Sequence, residues 1–437
     1  MTPSFYLIAV LMSCSSCSSL LQPSPIGAAD VVWTGRKLTM DDFWVNDAHF
    51  ELVSSSRFNE YGTAAANIGF HFVPRPGGVW YLFHREYGFA DNDGGTPEYC
   101  TADYARSVVR RSDDKGVTWS SPTVVAAPGD ASSADACAIV DGSGFFDSET
   151  DQWHFLAQCM NSELAWKLCH YTKAGSDPLS NATSWLPNPS NPVVVGGQLW
   201  GPICANSSNC PANHFHDEGT PEIVAKDAEG YFFVTFHGCN DDASVSARGV
   251  AKTRDFVQWE TDGSDLPNDA IFAQVDCNSW DVAWWNGSCV GGGEASILDL
   301  RDGIAVDYGT GAGSGGYLYQ LIEASDKSLG CLGEGQNWML GLSRSSAQAG
   351  FAPAGSWEPF PFATPTIVPP EEFGCYTQYH RIFSDDLGTY LEYSVWTGDA
   401  ETSGWMYVHQ LVPGANEELP IVASNEHYDN TTAHTPT

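Results

Sequence analysis

The sequence predicts an all-β fold, a five-bladed β-propeller, and three observations support that prediction. Aromatic residues make up 13% of the chain, with 16 Trp, 17 Tyr and 22 Phe against 6 Met, and this enrichment favours pleated strands over helices. The 43 Gly and 25 Pro are scattered and therefore predict many turns. The third observation is a fivefold repeat of strand pairs along the 437 residues.

The repeated unit is a polar entry, a short apolar strand, a Gly or Asp turn, an aromatic strand and a later segment that ends in Trp. The aromatic strands of the five copies start at Trp80, Trp153, Tyr231, Tyr317 and Tyr390. These starts lie about 75 residues apart, more than four short strands require, so long loops are expected. Five such units packed radially share one core and leave only short sheet edges, as in a β-propeller.

The segments that flank the repeats set the expected domain limits. Residues 1–28 are predicted to be a signal peptide, because the apolar run Phe5–Met12 is followed by small residues and is too short to span a bilayer. The alternating segment Phe50–Ser54 is predicted to pair with the last blade and close the ring. The propeller domain is expected over residues 29–413, and a polar C-terminal tail over residues 414–437.

N-glycosylation sequons and cysteines favour a secreted, extracellular glycoprotein. The sequons start at Asn181, Asn206, Asn286 and Asn430. In an oxidising compartment most cysteines beyond the signal peptide should pair. The short-loop pairs expected from spacing are Cys159–Cys169, Cys204–Cys210 and Cys277–Cys289.

The charge of the chain excludes several classes of partner. Lys and Arg total 19 against 54 Asp and Glu, which gives a formal net charge of −35. This field repels phosphate backbones and anionic membrane surfaces, so we expect neither nucleic-acid nor membrane binding. Beyond the signal peptide, CxxC and HxxxH spacings are absent from the sequence, so a zinc site is not expected.

The first strand of each blade is expected to line the central channel, where polar residues from different blades converge. Comparable positions in the five copies hold carboxylates, amides and an imidazole. These residues are Asn67, Asp141, Glu218, Glu294, Gln378 and His380. One Asp and two Glu from different blades would supply the paired carboxylates that acid–base chemistry needs.

The third copy begins with a crowded polar cluster. Two imidazoles and three carboxylates precede an aromatic strand, namely His214, His216, Asp217, Glu218 and Glu222. One interpretation is an active centre in which the two histidines bind substrate hydroxyls or take over an acid or base role. The other is a solvated acidic loop, with Glu222 either an inward ligand or a charge on the strand face.

Strand signatures in the third and fourth copies resemble those of a known enzyme family. Glu218-Gly-Thr-Pro-Glu-Ile-Val and Glu294-Ala-Ser-Ile-Leu are similar to the E-G-P and E-A-P signatures of five-bladed propeller glycoside hydrolases, which include arabinanases, β-xylosidases, α-L-arabinofuranosidases and fructan-cleaving enzymes. The similarity covers the repeats from about residue 60 to residue 411. It implies that Glu218 is the general acid and that Asp141 is the pKa-setting carboxylate.

The first copy departs from the family pattern. The family places a general-base Asp in the first blade, whereas this chain has Asn67 at the aligned position. An amide cannot accept a proton in that role. Either another carboxylate is the base, with Asp135, Glu60 and Glu294 as candidates, or hydrolysis has been lost.

One further motif resembles the Asp-box of sialidase-like propellers, S-x-D-x-G-x-T-W. It runs Ser112-Asp-Asp114-Lys-Gly116-Val-Thr118-Trp119. The resemblance implies a hairpin turn in a blade, with Asp and Gly in the turn and Trp packed between blades. The motif points to a propeller and assigns no activity.

Three other residues are candidates for substrate binding. His71 and His380 share the strand alternation, so they point into the channel or lie at the surface. Arg85 follows an aromatic strand, where it binds a substrate carboxylate or hydroxyl or forms a structural ion pair.

The sequence therefore predicts a secreted glycoside hydrolase that acts on an oligo- or polysaccharide, with Glu218 as proton donor and Asp141 and Glu294 in support. The alternatives are a non-catalytic sugar-binding propeller, a sialidase, for which Arg is scarce, and a polysaccharide lyase with a His or Tyr base. No cofactor is required, although Ca²⁺ in the channel would suit the ring carboxylates. A monomer that binds carbohydrate is expected.

Overall fold

The computed structural model describes residues 36–101, 103–195, 219–239, 246–260, 270–273, 290–299, 316–326, 338–346, 358–363, 366–368, 376–396, 404–416 and 418–422. The predicted signal peptide, three of the four sequons and two of the three predicted cysteine pairs lie outside these residues. Within them, the helical elements are short: α1 (Met40–Trp44), α2 (Ala90–Asp93) and the 3₁₀ turns Glu60–Gly62 and Ala64–Ala66. None is long and apolar enough to cross a membrane.

The strands form five small antiparallel sheets arranged as the blades of a β-propeller, so the predicted fold is confirmed. Strand β1 (Ala48–Ser56) precedes the first blade. Blade 1 contains β2 (His71–Arg75), β3 (Val79–Glu86), β4 (Arg106–Ser112) and β5 (Thr123–Ala126). Blade 2 contains β6 (Ala138–Asp147), β7 (Gln152–Met160), β8 (Trp166–Ala174) and β9 (Leu186–Pro187).

The later blades follow the same plan. Blade 3 contains β10 (Gly219–Lys226), β11 (Phe232–Cys239), β12 (Ser246–Thr253), β13 (Trp259–Glu260) and β14 (Ala270–Ala273). Blade 4 contains β15 (Val290–Asp299), β16 (Tyr317–Asp326), β17 (Trp338–Ser346), β18 (Glu358–Pro359) and β19 (Ile367–Val368). Blade 5 contains β20 (Tyr376–Ser384), β21 (Thr389–Trp396) and β22 (Trp405–Pro413), and β23 (Ile421–Val422) pairs with β19.

The ring is closed by β1, which pairs with β22 as the outermost strand of blade 5. The pairing is antiparallel and sets Phe50 opposite Leu411 and Glu51 opposite Gln410. The predicted closure by the segment Phe50–Ser54 is therefore confirmed. Closure in this way covers what would otherwise be the free edge of β22.

Aromatic side chains fill the space between neighbouring blades. Trp80 is fully buried between blades 1 and 5, with its ring centroid 4.8 Å from that of Tyr390. Trp153 is also fully buried, whereas Tyr317 of blade 4 is 36% exposed and the next residue, Leu318, is buried instead. Large aromatics dominate the energetics of such cores, which explains the enrichment in the sequence.

The segment between β4 and β5, which the Asp-box motif predicted to be a turn, is held by its own side chains. One oxygen of Asp114 accepts hydrogen bonds from Ser112 Oγ and Thr118 N, both at 2.8 Å, and the other accepts one from Thr118 Oγ1 at 2.6 Å. Trp119 Nε1 donates to Ser56 Oγ of β1 at 3.1 Å. The turn of blade 1 is thereby attached to the outermost strand of blade 5.

Two disulfides are present in the described part of the chain. Cys159–Cys169 joins β7 to β8, as the spacing predicted. Cys100–Cys137 was not predicted, because 37 residues separate its cysteines. It attaches the long loop between β3 and β4 to the start of β6.

Candidate active site

The innermost strand of each blade carries an irregularity near its start. Register shifts occur at Val140/Ser143 in β6, Gly219/Glu222 in β10, Gly292/Ala295 in β15 and Gln378/Arg381 in β20. A bulge of this kind inserts an extra residue and re-aims a side chain. Asp141, Thr220 and Tyr379 each take a positive φ, of 48°, 37° and 50°, at the first inserted position. The first inserted residue of each bulge therefore marks a structurally equivalent position in each of these blades.

The same irregularity occurs in blade 1, where it is occupied by glycine. His71 pairs with Phe83, and Arg85 N donates a hydrogen bond to Ile68 O at 3.1 Å. Two residues therefore lie between Ile68 and His71 opposite a single residue of β3, as in β6. The first of these is Gly69, with φ of 77°. Gly69 is therefore the blade 1 equivalent of Asp141.

This register differs from the alignment that spacing alone predicted. Asn67 and Glu218 precede the equivalent positions Gly69 and Thr220 by two residues, and Glu294 follows the equivalent position by one. The sequence alignment rested on polar residues at the start of each repeat, and these do not reveal the register of the strands. Asp141 is the one carboxylate among the equivalent positions of blades 1, 2, 3 and 5.

Asp141 is bound by Arg85 of the neighbouring blade. Arg85 Nη1 lies 2.9 Å from Asp141 Oδ1 and 3.1 Å from Oδ2, and it also donates to Tyr379 Oη at 3.0 Å. Arg85 Nε donates to Ala66 O at 3.1 Å. The side chains of Arg85 and Asp141 are only 14% and 10% exposed. One guanidinium therefore joins blades 1, 2 and 5 at the ring.

Burial and charge act in opposite directions on this pair. Burial raises the pKa of Asp141 above its ordinary value, and Arg85 offsets part of that increase. Burial lowers the pKa of Arg85, but Asp141, Tyr379 and Tyr87 outweigh it and hold this pKa well above its ordinary value. Arg85 is thus a permanent cation, and it holds the carboxyl group of Asp141 in place. Of the two sequence interpretations of Arg85, the structural ion pair is the one that the structure displays.

A second layer of polar residues lies on the adjoining strand positions. His71 Nε2 donates to Gly144 O at 3.1 Å, and His71 Nδ1 accepts from Arg381 Nε at 2.9 Å. Arg381 Nη1 lies 4.0 Å from Glu222 Oε2. Burial, followed by the charge of Arg381, lowers the pKa of His71 well below its ordinary value, so this imidazole is neutral.

This layer connects the blades rather than facing solvent. His71, Glu222 and Arg381 are 5%, 7% and 7% exposed. His71 and Glu222 are therefore buried between the blades, and their predicted contact with substrate stays a prediction.

Other predicted site residues also lie in the interior. Asn67 is fully buried, donates to Phe58 O at 3.0 Å and accepts from Tyr87 N at 2.9 Å, so its amide is used by the fold. His380 is fully buried and its Nε2 donates to Leu321 O of blade 4 at 2.7 Å. Neither side chain reaches the channel, because each bonds to main chain in the core.

Two of the three carboxylates suggested as alternative bases, Asp135 and Glu60, are engaged elsewhere. Asp135 Oδ2 accepts from Tyr171 Oη at 2.6 Å. Glu60 Oε1 accepts from Arg110 Nη2. Arg110 in turn bonds to the neutral His84, whose pKa burial lowers to about 3. Neither carboxylate contacts Asp141.

Five predicted residues cannot be placed by their side chains. His214, His216 and Glu218 lie outside the described residues. Glu294 and Gln378 lie on β15 and β20, but their side chains are likewise outside. Their roles remain predictions from the sequence. Elsewhere in the described chain, no three His, Cys, Asp or Glu side chains are grouped as a metal site.

The structure adds residues at the ring that the sequence did not single out. Tyr379 Oη accepts from Arg85, and the Arg85 guanidinium lies 5.1 Å from the Tyr379 ring and 5.8 Å from the Tyr87 ring. Tyr87 Oη donates to Asp103 Oδ1 at 2.9 Å. Tyr379 stands between Gln378 and His380, so the repeat did contain a signal for it. Asp103 lies on a loop outside the repeat, and no pattern marks it.

Comparisons with known proteins identify the fold. No family model and no curated protein matches the chain. Among solved structures, one described as a glycoside hydrolase aligns with a TM-score of 0.53 and 10% identity, covering 89% of this chain and 100% of its own. Two others are Zg3597, a family 117 glycoside hydrolase from the marine bacterium Zobellia galactanivorans, and an α-L-arabinofuranosidase from Lactobacillus brevis. Each has a TM-score of 0.49 and 10% identity. The first alignment covers 84% of this chain and 91% of the other, and the second covers 82% of this chain and 95% of the other.

At 10% identity the alignment establishes a shared fold. The chain shares a five-bladed propeller fold with this solved structure, and the resemblance seen in the sequence is confirmed at the level of the fold.

Proposed function

We propose that the protein is a secreted carbohydrate-active enzyme that hydrolyses glycosidic bonds in an oligo- or polysaccharide at the mouth of the propeller. The observation that carries this proposal is the buried ion pair of Arg85 and Asp141, tied to Tyr379, at the point where three blades meet. Buried charges are costly, and they concentrate at functional sites. The two disulfides support an oxidising compartment, in keeping with secretion.

Asp141 suits a field-setting role better than proton transfer. Both of its oxygens accept from Arg85, so neither is free to take a proton from water. Its charge acts on other ionisable groups at the mouth, which is how a third carboxylate tunes a general acid. The sequence assigns that acid to Glu218, with Glu294 in support.

The test is a panel of chromogenic glycosides and labelled oligosaccharides of arabinose, xylose and fructose. The wild type should turn over at least one member, and Glu218→Gln should lose about 10²- to 10⁴-fold in kcat with an unchanged unfolding curve. Asp113→Asn is the matched control, because Asp113 pairs with Arg111 on the surface and is 63% exposed. Parallel assays in EDTA test whether Ca²⁺ contributes. Full activity of Glu218→Gln would contradict the assignment of the acid.

A non-catalytic sugar-binding propeller is the second candidate, and one observation favours it. The blade 1 equivalent of Asp141 is Gly69, so this ring position lacks the carboxylate of the hydrolase pattern. Calorimetric titration of the wild type with the same panel separates the two functions. Binding without cleavage by any member would favour the second candidate.

A further inference from the structure

The loop between β3 and β4 is fixed against the strand that carries Asp141. Cys100 is bonded to Cys137 immediately before β6. Ala105 N donates to Cys137 O at 3.2 Å, and Ile139 N donates to Ala105 O at 3.0 Å. Residues 100–105 are therefore held beside the start of β6 by one covalent bond and two main-chain hydrogen bonds.

Asp103 lies within this anchored segment and is bound by Tyr87. Its Oδ1 accepts from Tyr87 Oη at 2.9 Å, and Tyr87 N donates to the buried Asn67 at 2.9 Å. The Tyr87 ring lies 5.8 Å from the Arg85 guanidinium, which binds Asp141. A chain of contacts through Tyr87 and Arg85 therefore links Asp103 to Asp141, without a direct bond between the two carboxylates.

The second oxygen of Asp103 is available for chemistry. Oδ2 makes no hydrogen bond to the described residues, and the residue is partly exposed. Its negative charge also raises the pKa of Asp141, after the larger effect of burial.

Three other described carboxylates suit the role less well. Both oxygens of Asp141 accept from Arg85, Glu222 is buried, and Glu60 Oε1 accepts from Arg110. Blade 1 has no room for a side chain at its equivalent position, since a Cβ on Gly69 would lie 2.6 Å from Asp141 Oδ1. The equivalent position of blade 1 therefore supplies no base, and a base on this side of the ring has to come from another element.

We infer that Asp103 is the general base of the hydrolysis and takes the place of the missing first-blade aspartate. This inference rests on the proposed function. The Asp103 carboxylate removes a proton from water while the water oxygen forms a bond to the anomeric carbon. The glycosidic C–O bond breaks, and the departing oxygen takes a proton from the general acid.

The test compares Asp103→Asn with wild type on whichever glycoside of the panel the wild type cleaves. The variant keeps the shape of the side chain and an oxygen that accepts from Tyr87. We expect kcat to fall about 10²- to 10⁴-fold with little change in KM. Asp91→Asn, on the same loop, is the control, because Asp91 is exposed and should leave activity unchanged.

Sodium azide distinguishes a base from a residue that merely positions others. Azide is an anion and needs no deprotonation, so it should restore turnover of Asp103→Asn and yield a glycosyl azide detectable by mass spectrometry. Restored turnover with that product supports the inference, provided that the variant has the wild-type unfolding curve. Tyr87→Phe should lose much less activity, since the carboxylate remains.

Three outcomes would overturn the assignment. Wild-type kcat in Asp103→Asn removes Asp103 from the chemistry and leaves the proposed hydrolase intact. A slow variant that azide does not rescue, with no glycosyl azide formed, assigns Asp103 a positioning role only. Absence of wild-type turnover on the whole panel rejects the hydrolase itself, and the inference with it.

Discussion

Replacing Gly69 with alanine tests both the bulge register and the ion pair. Gly69 has φ of 77°, a left-handed conformation that side chains disfavour. A Cβ built on it would lie 2.6 Å from Asp141 Oδ1, closer than atoms approach without movement. The carboxylate must therefore leave its position opposite Arg85, or the backbone of blade 1 must shift.

Two costs add together in this variant. Placing alanine in the left-handed region costs about 1–2 kcal/mol. Separating a buried ion pair leaves uncompensated charge and costs about 3–5 kcal/mol when the contact is fully lost. The free energy of unfolding should fall by about 4–7 kcal/mol if Asp141 is displaced completely.

The matched control is Gly77→Ala, in the hairpin turn between β2 and β3. Gly77 has φ of 84°, and nothing lies within 4 Å of a Cβ there, so only the backbone cost of about 1–2 kcal/mol applies. Urea unfolding of the oxidised proteins, followed by Trp fluorescence, measures both. Equal losses in Gly69→Ala and Gly77→Ala would refute the contact between Gly69 and Asp141, and with it the ring register.

Two further predictions concern stability. Burial lowers the pKa of His409 from 6.5 to about 4, so the unfolded chain binds more protons between these values. The free energy of unfolding should therefore be highest above pH 6.5 and fall by up to about 3 kcal/mol as the pH drops towards 4. Urea unfolding of His409→Gln at several pH values should show a weaker dependence of this free energy on pH. The two disulfides should differ because they close loops of different length. Replacing Cys100 and Cys137 with Ser opens a 37-residue loop and should lower the free energy of unfolding by about 4 kcal/mol. Replacing Cys159 and Cys169 with Ser opens a 10-residue loop and should lower it by about 3 kcal/mol. A larger midpoint shift for the second pair would contradict the loop-entropy argument.

Much of the fold follows from local chemistry that the sequence displays directly. Aromatic strands alternate with Gly and Asp turns, and each such unit has faces that only neighbouring units can bury. Closure of the ring by Phe50–Ser54 was likewise predictable, because an alternating strand outside the repeats has few other edges to join. Packing nevertheless decided which face of a strand is buried, because Leu318 is buried in blade 4 whereas the neighbouring aromatic residue Tyr317 is exposed.

The candidate site was only partly predictable. The sequence identified Asp141 before a predicted strand and Arg85 after an aromatic strand, and the structure shows that they form one ion pair. It aligned Asn67 with Asp141, because short polar motifs do not reveal strand register. Asp103 carries no motif, and only the structure links it to Arg85, through Tyr87, and to β6, through a disulfide that spans 37 residues.

The sequence by itself determined the number of blades, the class of fold and the acidic charge of the molecule, since each depends on composition or on residues close together in the chain. The tertiary structure decided which polar side chains contact one another across the ring and which are buried and hydrogen-bonded within the fold. That choice depends on bulge register and on contacts such as Arg85 with Tyr379, which lie 294 residues apart in the chain.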